Sequence, residues 1–128
     1  MPITRFHGSG VLPATLPFPE GCVVGDLVFL SGQLGNRPGT LTLVEGGIRA
    51  EATQTLANIE AILKAQGLGV ENLVRCTVML ADIAEWPAFN EAYVAFFAGR
   101  PLPARSALGC NGLALGARVE IECIAARG

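Results

Sequence analysis

Only two stretches of this chain carry a helical period; its other apolar residues fall in short runs. The longer stretch is "IRAEATQTLANIEAILKAQ", residues 48–66. There Ala52, Leu56, Ile59 and Leu63 recur at i, i+4, i+7 and i+11 and form one apolar stripe. Gly46-Gly47 precede it, and Gly67 is placed to cap its C-terminus. The second stretch is "EWPAFNEAYVAFFA", residues 85–98, with Pro87 in its first turn and Phe89, Tyr93 and Phe96 or Phe97 along its inner side. Two helices of this size cover one face of one sheet and leave the other face bare.

The remaining apolar runs read as strands. "ITRF" makes a short first strand, and "CVVGDLVFLSGQ" makes a hairpin around Gly25-Asp26, with Gly32 breaking its second strand. Residues 11–21, "VLPATLPFPEG", hold three prolines and read as an ordered loop; "GNRPGTL" reads as a turn. "LVRCTVMLAD", 73–82, reads as a strand covered on both faces. Residues 104–110 form a further strand. In the last, 118–126, Val119, Ile121, Cys123 and Ala125 lie on one side and Arg118, Glu120 and Glu122 on the other. The order is β-ββ-α-β-α-β-β, an α+β fold in one domain, residues 1–128, whose mixed sheet packs on two helices on one face.

Composition bears on the bare face. Charged residues make up 16% of the chain and apolar residues 51%, against a usual charged share of about a quarter. So few charges cannot cover the apolar surface of a small domain, which predicts that the uncovered face meets another subunit. The net charge is -2 and the nine basic residues are scattered, which argues against a nucleic-acid partner. No apolar stretch is long enough for a membrane span, and the N-terminus lacks the apolar core of a signal peptide, so a soluble, cytoplasmic protein is expected. Cys22, Cys76, Cys110 and Cys123 show no C-x-x-C spacing and are expected to be reduced. The one histidine, His7, sits in the N-terminal segment, which leaves little room for a histidine-based triad or a catalytic zinc site.

One permanent cation stands out. In "RPLPARSALG", Arg105 opens a run of small and apolar residues. Glu120 and Glu122 share a face of the last strand, roughly 7 Å apart by strand rise, and the strand that Arg105 begins reads as its neighbour. Such an arginine and carboxylate form either a structural ion pair or an anion pocket, in which the guanidinium grips a substrate carboxylate and a glutamate handles water or a proton. For the neighbouring residues the plain readings are structural. Trp86 packs in the core or anchors an interface, Phe89, Tyr93 and Phe97 are core, and Glu122 is solvated or paired with Arg118 or Arg127.

"FLSGQLG", "ATQTLANIEAILKAQGLGVENLVRCTVMLADI", "FNEAYVAFF", "PARSALG" and "VEIECIA" together resemble the RidA/YjgF family of imine and enamine deaminases over nearly the whole chain. The resemblance implies a chorismate-mutase-like fold assembled as a homotrimer around a central β-barrel, with sites in clefts between subunits. It implies hydrolysis of 2-aminoacrylate/2-iminopropanoate and 2-iminobutanoate to 2-keto acids and ammonia, with no metal or organic cofactor and a small imino or keto acid as the only partner besides other copies of the chain. On the matching motifs Arg105 would clamp the substrate carboxylate and Glu120 would position or activate water. Ser31 and Gly32 would line the pocket, and Asn90 would make a polar contact across the cleft. Phe18 stands where many members carry a tyrosine, and Ala107 where many carry a cysteine; both would line the pocket, and both leave the substrate range open. A non-catalytic binder of small carboxylates, or an RNA-cleaving relative, is the competing function.

Overall fold

The structure, a computed structural model, describes residues 1–128. Its strands are β1 (Ile3–Phe6), β2 (Gly21–Val24), β3 (Leu27–Gln33), β4 (Leu73–Leu80), β5 (Ala104–Gly109) and β6 (Val119–Ala126), and its helices are α1 (Gly47–Ala65) and α2 (Trp86–Phe97). The element order is the one expected from sequence. The strands join in one sheet in the spatial order β1-β2-β3-β6-β4-β5. β3 and β4 are both antiparallel to β6 and therefore parallel to each other, and β4 is parallel to β5. Each parallel pair is joined by a helix, α1 then α2. Crossovers of one hand place both helices on the same face of the sheet.

Helix α1 buries its predicted stripe, Ala52, Leu56, Ile59 and Leu63, together with Ile48 and Ile62. It ends as the sequence suggests. Gly67 takes φ +75, the Leu68 N–H reaches the Leu63 carbonyl at 2.9 Å, and the Gly67 N–H reaches that of Lys64 at 3.0 Å. Facing this stripe are Val119, Ile121, Cys123 and Ala125 of β6 and Cys76, Val78 and Leu80 of β4, all buried. Each large aliphatic in this layer contributes about 1.5–3 kcal/mol by leaving water. No helix is long and apolar enough to cross a membrane.

The other face departs from one expectation. β4 is covered on one face only: Val74 is 47% exposed and Arg75 is exposed beside it. Leu27 and Phe29 of β3 are also exposed, as is Glu122 of β6. Alternation along these strands leaves the second face of the sheet bare in a single chain.

Gly32 does not break β3. Leu30 pairs with Cys123 and Gln33 with Ile121, so Ser31 and Gly32 together stand opposite one residue, Glu122. This β-bulge turns Gln33 back toward the core, where it is fully buried. The register slip makes an odd spacing in the sequence, three residues from Leu30 to Gln33, compatible with one buried face.

The proline-rich loop before β2 is ordered by a buried carboxylate. Glu20, 1% exposed, accepts hydrogen bonds from the Ser9 N–H at 3.1 Å, the Ser9 hydroxyl and the Leu12 N–H at 3.2 Å. Its own N–H donates to the Phe6 carbonyl, and its carbonyl accepts from the Ser31 N–H. Glu20→Ala strips the partners from several donors at once. Urea unfolding should show a loss of about 1–3 kcal/mol, with faster amide exchange at Ser9 and Leu12.

Candidate functional site

Arg105 lies on β5, an edge strand, with Cys76 of β4 as its Cα partner. Its side chain accordingly points to the helix side. There the guanidinium carbon sits 4.7 Å from the centre of the Tyr93 ring and 5.7 Å from that of Phe89. The chain has three ion pairs, Arg49–Glu91, Arg100–Glu60 and Arg118–Glu85, and Arg105 is in none of them. Stacking on aromatic rings stabilises an arginine by about 0.5–2 kcal/mol. It satisfies none of the guanidinium's planar N–H donors, which stay free for an anion.

The arginine opens onto a pocket of about 370 Å³ that Trp86, Asn90, Tyr93, Leu102 and Pro103 also line. Two side-chain atoms of this wall, Asn90 Oδ1 and Tyr93 Oη, are buried without a hydrogen-bond partner. Each such group costs about 1–3 kcal/mol while it stays unpartnered, and a ligand that supplies a partner recovers part of that. The aromatic ladder of α2 fixes the wall: ring centres of Phe89 and Tyr93 are 5.7 Å apart and those of Tyr93 and Phe97 4.7 Å. Burial pushes the Tyr93 phenol up to about 12, with Arg105 opposing the rise, so it is a neutral donor at ordinary pH.

Behind the arginine, Cys76 and Cys123 face each other across β4 and β6 with their sulfurs 3.1 Å apart. None of the four cysteines is joined in a disulfide. The Cys123 thiol holds Cys76 below the ordinary range, and the Arg105 charge adds to this against the effect of burial; Cys123 itself is pushed well above that range.

Glu120 is elsewhere. It pairs with Met79 on β4 and lies on the face away from the helices, next to the bulge. A side-chain carbon at position 32 would collide with Glu120 Oε2, so only glycine lets the carboxylate rest on the β3 backbone. Gly32 also lines a second, apolar cavity of about 180 Å³ with Phe18, Leu12, Leu16 and Leu115. Burial first, and the Glu122 charge second, raise the Glu120 carboxyl above the usual carboxylate range.

The expected site residues thus fall into two groups. Arg105 and Asn90 share the pocket against α2; Glu120, Gly32 and Phe18 gather at the bulge. Arg105 and Glu120 are not on adjoining strands, because β4 lies between β5 and β6, and their side chains leave opposite faces of the sheet. One chain alone does not bring them together. Ser31 lies at the bulge, but its hydroxyl is committed to the Pro19 carbonyl at 2.7 Å. Ala107 is on the helix side with Arg105 but packs against the core and does not line the pocket. Glu122 is exposed and forms no ion pair; Arg118 is held by Glu85, and Arg127 donates to the Gly25 carbonyl.

Two wall residues escaped the sequence reading. Of the two expectations for Trp86, core packing fails, since it is 43% exposed at the pocket rim, and the interface anchor stays open; Tyr93 carries an unpartnered hydroxyl into the wall. The signal was the spacing 86, 90, 93, which puts Trp86, Asn90 and Tyr93 on one helical face beside the apolar stripe.

Known proteins match this chain over most of its length. The family described as Endoribonuclease L-PSP matches residues 10–127. A goat (Capra hircus) protein named 2-iminobutanoate/2-iminopropanoate deaminase is 41% identical over 127 residues, 98% of this chain and 92% of that protein. The crystal structure of the E. coli YjgF gene product superposes with a TM-score of 0.90 at 31% identity, covering 98% of this chain and 99% of the other. E. coli TdcF, crystallised with bound serine, superposes with a TM-score of 0.89 at 30% identity and the same coverage. A match of this extent, with the sheet order and paired helices described above, establishes that the chain belongs to the Endoribonuclease L-PSP family, the RidA/YjgF family.

Proposed function

We propose that this chain is a single domain, residues 1–128, which hydrolyses 2-imino acids and their enamine tautomers to 2-keto acids and ammonia at sites shared between the copies of a homotrimer. Substrates of this class are 2-aminoacrylate/2-iminopropanoate and 2-iminobutanoate. The observation that carries the reading is the Arg105 guanidinium, unpaired by any protein carboxylate, opening onto a pocket whose wall holds two further unpartnered polar atoms. The name of the goat relative and the serine bound to the E. coli neighbour, a small molecule bearing a carboxylate, support it. A soluble, cytoplasmic setting is part of the proposal.

The chemistry asks little of the protein. Arg105 grips the substrate carboxylate through paired N–H donors and so sets the place of the adjacent C=N carbon. Water adds to that carbon while the imine nitrogen takes a proton, and the carbinolamine collapses to the ketone as ammonia leaves. Glu120 accepts the proton of the attacking water. Its raised carboxyl makes it a stronger base than an exposed glutamate. Because Arg105 and Glu120 leave opposite faces in one chain, the site forms where the β5–α2 edge of one copy meets the bulge and proline-rich loop of the next. The bare sheet face, with Leu27, Phe29 and Val74 exposed, supports this assembly. Phe18 then offers a ring without a hydroxyl as a wall. RNA cleavage, which the family description names, finds no basic patch on a chain of net charge -2.

Three measurements test this reading. Imine released by an amino-acid oxidase and trapped with semicarbazide should fall in the presence of wild-type protein, and Arg105→Ala should lower kcat/KM by about 10²-fold, the worth of a charge-assisted bond. No difference between the two would refute the proposal. Arg105→Ala and Glu120→Gln chains, each strongly impaired alone, should regain about a quarter of wild-type activity when unfolded and reassembled together, since each mixed trimer rebuilds one complete site. Continued impairment of the mixture would place both residues in one chain's site. The acid limb of the kcat profile should lie above the ordinary glutamate value, about 4.3, because Glu120 works ionised and its carboxyl is raised. Glu122→Gln removes a neighbouring negative charge and should move that limb to lower pH.

A further inference from the structure

Tyr93 has a side chain whose parts are used unequally. Its ring is packed: the residue is 5% exposed, stacked between Phe89 and Phe97 and covered by the Arg105 guanidinium. Its hydroxyl has no partner in the protein. A phenylalanine would fill the same space without the cost of an orphaned O–H. The residue nonetheless lines the pocket, together with Asn90 and Arg105.

We propose that the Tyr93 hydroxyl is a second donor of the anion pocket, so that a bound carboxylate accepts one hydrogen bond from Tyr93 and a charged pair from Arg105. The inference rests on the reading of Arg105 as a carboxylate clamp and adds to it a residue that discriminates anions by geometry. The ring holds the guanidinium from below, and the hydroxyl sits at the end of that same ring, so one side chain fixes the cation and supplies the donor next to it. The phenol stays protonated far above neutral pH, because burial holds its ionisation at about 12. A neutral O–H and a cationic fork together suit a small carboxylate, which presents two acceptor oxygens in one plane. Asn90, whose Oδ1 is likewise unpartnered, remains for the rest of the ligand.

The chain has one tyrosine, so a [13C]tyrosine label yields a signal from Tyr93 alone. Pyruvate is the probe, being a stable 2-keto acid. On titration into the wild-type protein, the phenol carbon signal should move with the binding curve. Tyr93→Phe should weaken pyruvate binding about tenfold or more, the effect of losing one hydrogen bond to a charged acceptor, while KM for the imine rises more than kcat falls. Tyr93→Phe that binds pyruvate within about twofold of wild type overturns the inference. So does a wild-type signal that stays fixed at saturating pyruvate, a readout that does not depend on the variant's folding. Movement of the signal in a protein that turns over no imine supports the second donor and sinks the deaminase reading. Imine turnover with Tyr93→Phe unchanged does the reverse.

Discussion

The fold depends on one strand being in the middle. β6 is the last strand in the chain, yet it lies between β3 and β4 and is the only hydrogen-bonded link between the β1-β2-β3 ribbon and the β4-β5 pair. Its alternation does two jobs. Val119, Ile121, Cys123 and Ala125 complete the layer beneath α1, while Glu120 and Glu122 leave the opposite face. A slip of one residue would exchange the two sets and bury both carboxylates. The bulge at Ser31-Gly32 settles the register on one side and the Cys76–Cys123 pairing settles it on the other.

That placement decides how the polar groups of the site are distributed. With β6 and β4 both inserted between β3 and β5, the arginine edge and the bulge lie at separate parts of the sheet. Each half is incomplete in a physically recognisable way. The Arg105 pocket has donors and acceptors without partners, and the bulge has a carboxylate pressed onto bare backbone at Gly32, its charge disfavoured by burial. An isolated monomer would carry both costs, together with an exposed sheet face bearing Leu27, Phe29 and Val74.

Much of this was legible in the sequence because it is local. The α1 stripe, its glycine stop, the Gly25-Asp26 hairpin and the alternation of β6 are patterns within a few residues of one another, and all appear as read. What was not legible is non-local. Nothing in "PARSALG" says that its strand pairs with β4 rather than β6, because neither alternate set, Ala104-Ser106-Leu108 or Arg105-Ala107-Gly109, is distinctly apolar. The face taken by Arg105 was equally hidden. The covering of β4 was misjudged for a related reason: a run of apolar residues reads alike whether the second face meets helices, other subunits or nothing within the chain. The bulge was read as a break, since a glycine in a strand signals either. Tyr93 was missed because an aromatic at core spacing looks the same with or without a satisfied hydroxyl.

The chain contains one tryptophan and one tyrosine, and both stand in the wall of the Arg105 pocket. Its near-ultraviolet absorption and intrinsic fluorescence therefore originate almost wholly at that one place. Trp86 stands at the solvent-facing rim and Tyr93 is sealed beneath a guanidinium. Emission from this protein reports the state of a single cavity and not an average over the fold, so occupancy can be followed by light in the unmodified chain.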